Sequence, residues 1–146
     1  MLSKCSVTTL LAVFLLLVMC ISPACELDTQ LSIENGNPVT FVTSGNGSLR
    51  SLTIVGNRKQ RDVFGEDAWV YWSFKSRKGG SVSVGEVGPI HYGETPDGYE
   101  QVYPERGPAP PLVDGEKYNI RINTANANGA DKYFVINNGH VKMSDR

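Results

Sequence analysis

The stretch from Leu112 to Thr124 limits the possible folds more than any other part of the chain. Asp114-Gly115 is a turn signal. Glycine reaches positive φ without steric cost, and an aspartate carboxylate bonds its own backbone. After the turn the residues alternate strictly. Tyr118, Ile120, Ile122 and Thr124 fall on one face, and Lys117, Asn119, Arg121 and Asn123 on the other. A period of two with one apolar face is the pattern of a strand half-buried in an antiparallel sheet. Similar segments recur between turn clusters: Leu31–Ile33, Val39–Thr43, Leu49–Val55, Asp67–Ser76, Ser81–Val84, Lys132–Ile136 and His140–Met143. Asn137-Asn138-Gly139 reads as a hairpin turn. Glu86–Tyr92 is at best a short or bulged edge strand, because Gly88 breaks it and Pro89 cannot donate to a ladder. No internal repeat and no amphipathic helix stands out. The pattern predicts an all-β fold, an antiparallel β-sandwich of about seven or eight short strands over residues 31–146.

The corner preceding the alternating strand carries a resemblance. Leu112, the turn glycine Gly115 and then Tyr118 resemble the E–F corner of fibronectin type III and related immunoglobulin-like sandwiches. That resemblance implies a tyrosine corner, with the Tyr118 hydroxyl bonded back to the backbone just upstream and Leu112 as an apolar plug. It implies an immunoglobulin-like sandwich and says nothing about chemistry.

The most aromatic segment is Asp67–Ser76. Val70, Trp72 and Phe74 share one face; Trp69, Tyr71 and Ser73 share the other. Trp72 is the expected core residue. Trp69 and Tyr71 are expected to face outward or to pack beneath a loop, and an outward pair could serve as a sugar or peptide platform. The long segment Gly93–Pro111 holds five prolines with Tyr99 and Tyr103 among them, and Tyr92 just before it. Two readings stay open: a functional loop, or a strap folded over an open sheet edge with its tyrosines packed on the core. The candidate binding surface is therefore Trp69, Tyr71, Tyr92, Tyr99 and Tyr103.

The first 24 residues are a different kind of sequence. Lys4 precedes a nearly unbroken apolar run from Leu10 to Ile21, and Ser22-Pro23-Ala24 supplies small residues before Cys25. This is the pattern of a secretory signal peptide, residues 1–24. Ala24-Cys25 resembles a bacterial lipobox, whose cysteine is lipidated and becomes the first residue. Ser22 stands where that family usually has leucine, and Ser22-Pro23-Ala24 also suits an ordinary signal peptidase. Cys5 and Cys20 lie in the signal, so the mature chain keeps Cys25 alone, and a lone cysteine makes no internal disulfide. Lipidation explains its place at the new terminus. The resemblance implies a palmitate-bearing lipoprotein tethered to the membrane by residues 25–30. With Glu26 rather than aspartate next, the implied address is the outer membrane, facing the periplasm.

Without Lys4, thirteen basic residues stand against fifteen acidic, a formal charge of −2. That is not the footprint of a nucleic-acid binder, nor of a polybasic membrane patch. Asn57–Asp62 reads as a solvated loop, and Arg77-Lys78-Gly79-Gly80 as a basic turn. His91 and His140 are isolated, so no metal site is expected. Glu94, Asp97, Glu100 and Glu105 form a loose acidic run without the spacing of a calcium loop. No nucleophile elbow and no phosphate cradle is present, so no catalytic residue and no cofactor is assigned. The expected function is that of a non-catalytic binding or structural module of the cell envelope, meeting an envelope protein or glycan. The alternatives are a small periplasmic inhibitor of a hydrolase, presenting Tyr99, Glu100 and Tyr103 from the proline-rich loop, and an enzyme using an unrecognised carboxylate pair.

Overall fold

The alternating segments pair as antiparallel strands in a computed structural model, which describes residues 28–57, 68–78 and 80–145. The expected signal, Cys25 and the 58–67 loop lie outside the described residues. Nine strands are described: β1 (Thr29–Glu34), β2 (Thr40–Gly45), β3 (Ser48–Asn57), β4 (Ala68–Ser76), β5 (Ile90–His91), β6 (Tyr99–Tyr103), β7 (Lys117–Ala125), β8 (Ala130–Asn137) and β9 (His140–Ser144). They form two sheets, β1-β2-β5 and β6-β4-β3-β7-β8-β9. This is the expected all-β sandwich, with one narrow and one wide layer. Because β1 begins at Thr29, the last two residues of the expected 25–30 tether belong to the narrow sheet.

The core lies between the layers. Leu31, Phe41 and Ile90 enter from the narrow sheet; Leu52, Ile54, Trp72, Phe74, Ile120, Ile122 and Phe134 enter from the wide one. Phe41 meets Phe134 across the gap, ring centroids 6.2 Å apart. The alternation in β7 is real, since Tyr118, Ile120 and Ile122 are all buried. Asn119 is buried as well, and its side chain is satisfied. It donates to the Asp131 carboxylate and to the Lys132 carbonyl, and accepts from Arg121 Nε.

Bulges alter the pattern where strict alternation misleads. Ile54 pairs with Trp72 and Val55 with Val70, so Tyr71 is an extra residue in β4. An extra residue shifts the phase of the pleat, and Tyr71 turns inward with Trp72. Space for its ring exists because Gly56 lies opposite. A Cβ there would come within 2.5 Å of Tyr71 Cε2 and 3.0 Å of Tyr118 Cε1.

Two segments differ from expectation. Ser81–Val84 is not a full strand but a single antiparallel bridge, Ser83 against Ser48 at the start of β3. The Leu49 N–H donates to the Val82 carbonyl and the Val84 N–H to the Gly47 carbonyl, while Thr43 Oγ1 of the narrow sheet donates to the Val84 carbonyl. The proline-rich segment, expected to be irregular throughout, contains β6, which pairs with β4 as an edge strand. The expected hairpin turn is formed by Asn138 and Gly139, both at positive φ, with Asn137 opposite His140.

Candidate functional site

The five candidate aromatics separate into distinct environments. Tyr71 and Tyr99 are only 1% and 2% exposed, so neither ring offers a surface. The bulge accounts for Tyr71. Tyr99 opens β6 with its ring against Phe74, centroids 5.2 Å apart. Its hydroxyl donates to the Leu49 carbonyl and accepts from the Val82 N–H. Tyr92 is half-buried. Its ring meets Trp72 edge to face, centroids 5.5 Å apart, and its hydroxyl donates to the Pro110 carbonyl at 2.7 Å. Ala109 and Leu112 also pack on the core. The end of the Gly93–Pro111 segment is thus packed on the core and tied down by Tyr92, while β6 within the same segment is itself the edge strand.

Trp69 and Tyr103 come together. Trp69 lies near the start of β4 and Tyr103 at the end of β6, both half-buried. Their rings meet at 82° with centroids 6.4 Å apart. An edge-to-face pair of this kind contributes roughly 0.5–1.5 kcal/mol beyond its buried area. Beside it, Val102 is the extra residue of a bulge between β4 and β6, and it is 42% exposed. An apolar bulge and two amphipathic rings therefore lie at the β6 edge of the wide sheet, an edge among the described residues.

The corner is built around a carboxylate. Tyr118 Oη accepts from the Val113 N–H at 2.7 Å and donates to Glu116 Oε2 at 3.1 Å. Tyr71 donates to the same oxygen at 2.6 Å, and its ring meets Tyr118 edge to face. Gly115 sits at φ +81° and donates to the Ile136 carbonyl, and Leu112 packs on the core. Burial pushes the Tyr118 hydroxyl well above the usual tyrosine range, opposed by the Val113 N–H and assisted by the Glu116 carboxylate. Burial likewise raises Tyr92 and Tyr99. Neutral phenols that hold backbone in place are structural fasteners rather than nucleophiles.

Sequence reasoning missed one concave feature. A cleft of about 390 Å³ lies over β5 and the loop after it, with Glu86, His91, Glu94 and Asp97 among its lining groups. Thr40 Oγ1 lies 2.9 Å from His91 Nδ1 and fixes that ring. The only sequence signal was the acidic run; Glu86 joins it from the turn at Ser83–Val87 and His91 from β5. No group of three metal-ligating side chains occurs among the described residues. Comparisons with protein-family models, curated proteins and solved structures give no match.

Proposed function

We propose that this chain is an exported bacterial lipoprotein, lipidated on Cys25, whose immunoglobulin-like sandwich is a non-catalytic binding module of the envelope. Its address is the outer membrane, facing the periplasm. The observation that supports the binding role is the Trp69–Tyr103 pair beside β6, an edge strand of the wide sheet among the described residues. Such rings combine contact area with polar tips at small entropic cost, and suit the faces of a glycan or a partner strand. The chain has two tryptophans, and Trp72 is fully buried, so Trp69 is the indole that reports on the surface. Adding peptidoglycan fragments should shift the Trp69 emission, and Tyr103→Ala should weaken that response. A photo-crosslinker at Val102 should capture a partner if the ligand is a protein. The reading fails if peptidoglycan leaves the emission unchanged and the crosslinker yields no adduct.

Catalysis by a carboxylate pair is the second reading, favoured by the cleft around Glu86, Glu94 and Asp97. Turnover of an envelope polymer, abolished by Glu94→Gln or Asp97→Asn, would replace the binding reading. The inhibitor alternative loses one of its anchors, because Tyr99 is inside the fold.

A further inference from the structure

The chain as a whole is slightly acidic, yet the fold gathers cations at one place. Arg50, Lys75, Arg77 and Lys78 surround one open depression, together with Ser81 and a single carboxylate, Glu100. Three of these cations follow one another closely at the end of β4; Arg50 comes from β3. Arg50 is the extra residue of a bulge between β3 and β7, where Leu49 pairs with Thr124 and Ser51 with Asn123. Lys75 lies opposite Ser51 and pairs with Glu100 at 3.3 Å, with both side chains about half exposed (58% and 47%). The backbone beneath is fixed, with the Arg77 N–H donating to the Gly98 carbonyl and the Gly80 N–H to the Arg77 carbonyl.

The same end of the sandwich is where the chain enters the fold. Thr29 pairs with Gly45, the Asn46 N–H donates to the Asp28 carbonyl, and Thr29 Oγ1 donates to the Asn46 carbonyl. Arg50 is four residues after Asn46, at most about 14 Å along the backbone. Cys25 is three residues before Asp28, a reach of at most about 10 Å. An acyl chain on Cys25 would therefore hold this end of the fold close to the headgroups.

We propose that the patch of Arg50, Lys75, Arg77 and Lys78 docks on the anionic headgroups of the bilayer in which Cys25 is anchored. The proposal rests on the lipoprotein reading for its orientation. A single lipid signal is reinforced by juxtamembrane cations, and the patch would fix which face of the sandwich points away from the membrane. That leaves the Trp69–Tyr103 end of β4 and β6, away from the end that carries Lys75 and Glu100, available to a partner.

The test uses the processed chain in two forms, acylated and with Cys25→Ser. Vesicles contain either phosphatidylglycerol with phosphatidylethanolamine, or phosphatidylcholine alone. The unacylated chain should bind the anionic vesicles weakly, lose binding as salt rises, and ignore the neutral ones. Arg77→Gln with Lys78→Gln should weaken binding by about thirty-fold, two cations' worth at the membrane surface. Both side chains are exposed, and an unchanged circular dichroism spectrum verifies that the variant is folded. Equal binding to both vesicle types, or a double variant that binds as the parent does, overturns the proposal. So does binding to a soluble sulfated polysaccharide with none to anionic vesicles. Mass spectrometry of the mature terminus reports separately on the anchor: an unmodified Cys25 defeats the lipoprotein reading while a charge-dependent vesicle signal upholds the patch.

Discussion

Replacing Tyr118 by phenylalanine tests the corner with the least collateral change. The ring keeps its place against Phe134, centroids 5.3 Å apart, and against Tyr71, so packing is retained. Two hydrogen bonds disappear. The Val113 N–H loses its acceptor, and Glu116 Oε2 keeps Tyr71 but loses Tyr118. A neutral hydrogen bond contributes about 1 kcal/mol and one to a carboxylate about 1.5–3 kcal/mol. Glu116 is half-buried and can recover water, so the second term belongs at its lower end. The expected loss is about 2 kcal/mol, or about 8 °C in Tm for a domain of this size. Urea unfolding followed by Trp72 emission measures it, and the m-value should not change. Tyr71→Phe should be non-additive with Tyr118→Phe by at least about 0.5 kcal/mol, because both phenols share one carboxylate oxygen. A Tyr118→Phe chain within about 0.5 kcal/mol of the parent, the range of an ordinary surface change, would refute the view that this hydroxyl fastens the corner.

Three further perturbations probe other parts of the same reasoning. Gly56→Ala would drive a methyl group into the Tyr71 and Tyr118 rings, and overpacking of this kind costs about 1–3 kcal/mol; a neutral result in urea unfolding would mean that the two rings have room to move. Phe41→Ala removes the ring that bridges the layers and should lower stability by about 3–5 kcal/mol, with a loss near 1 kcal/mol arguing that the narrow sheet is weakly coupled. Alkali should unfold the protein steeply: Tyr92, Tyr99 and Tyr118 are held protonated by burial, so above about pH 10 the unfolded chain releases protons that the folded chain keeps. Their contribution is intact below that pH and falls by about 1.4 kcal/mol per pH unit for each hydroxyl as pH rises; a flat stability curve between pH 9 and about pH 11 would contradict it.

The fold was legible where local signals act alone. Alternation marked β7 and, more briefly, β2 and β3, and the Asn138-Gly139 turn joined β8 to β9. Tyr71 was misread because a bulge leaves no mark in the alternation of its own strand; the extra residue is defined by the register of the partner, and its ring is accommodated by the missing side chain at Gly56, fifteen positions away in sequence. β6 was missed because five prolines surround it. Proline forbids a ladder donor only at its own position, and Tyr99 to Tyr103 contains none. Ser81–Val84 erred in the opposite direction: it alternates like a strand, but it pairs with β3 only at the Ser48–Ser83 bridge before the turn that follows Ser83 takes the chain away.

The candidate sites were less legible than the fold because each is assembled across sequence distance. Trp69 meets Tyr103, and the cleft joins Glu86, from the turn before β5, to Asp97, from the loop after it. The cationic patch is the clearest instance. The net charge of −2 argued against a polybasic membrane patch, but it sums over the chain and does not show where the cations lie. Antiparallel pairing nevertheless places the start of β3 beside the end of β4, and a bulge inserts Arg50 into that meeting point. Net charge averages over the whole surface, whereas attraction to a headgroup layer decays within a Debye length of about 8 Å. Four cations inside that distance can therefore attract a bilayer even when distant carboxylates make the total negative. Moving the same four residues apart at constant net charge should abolish vesicle binding, and it is that comparison, not the overall charge, that isolates the contribution of the fold.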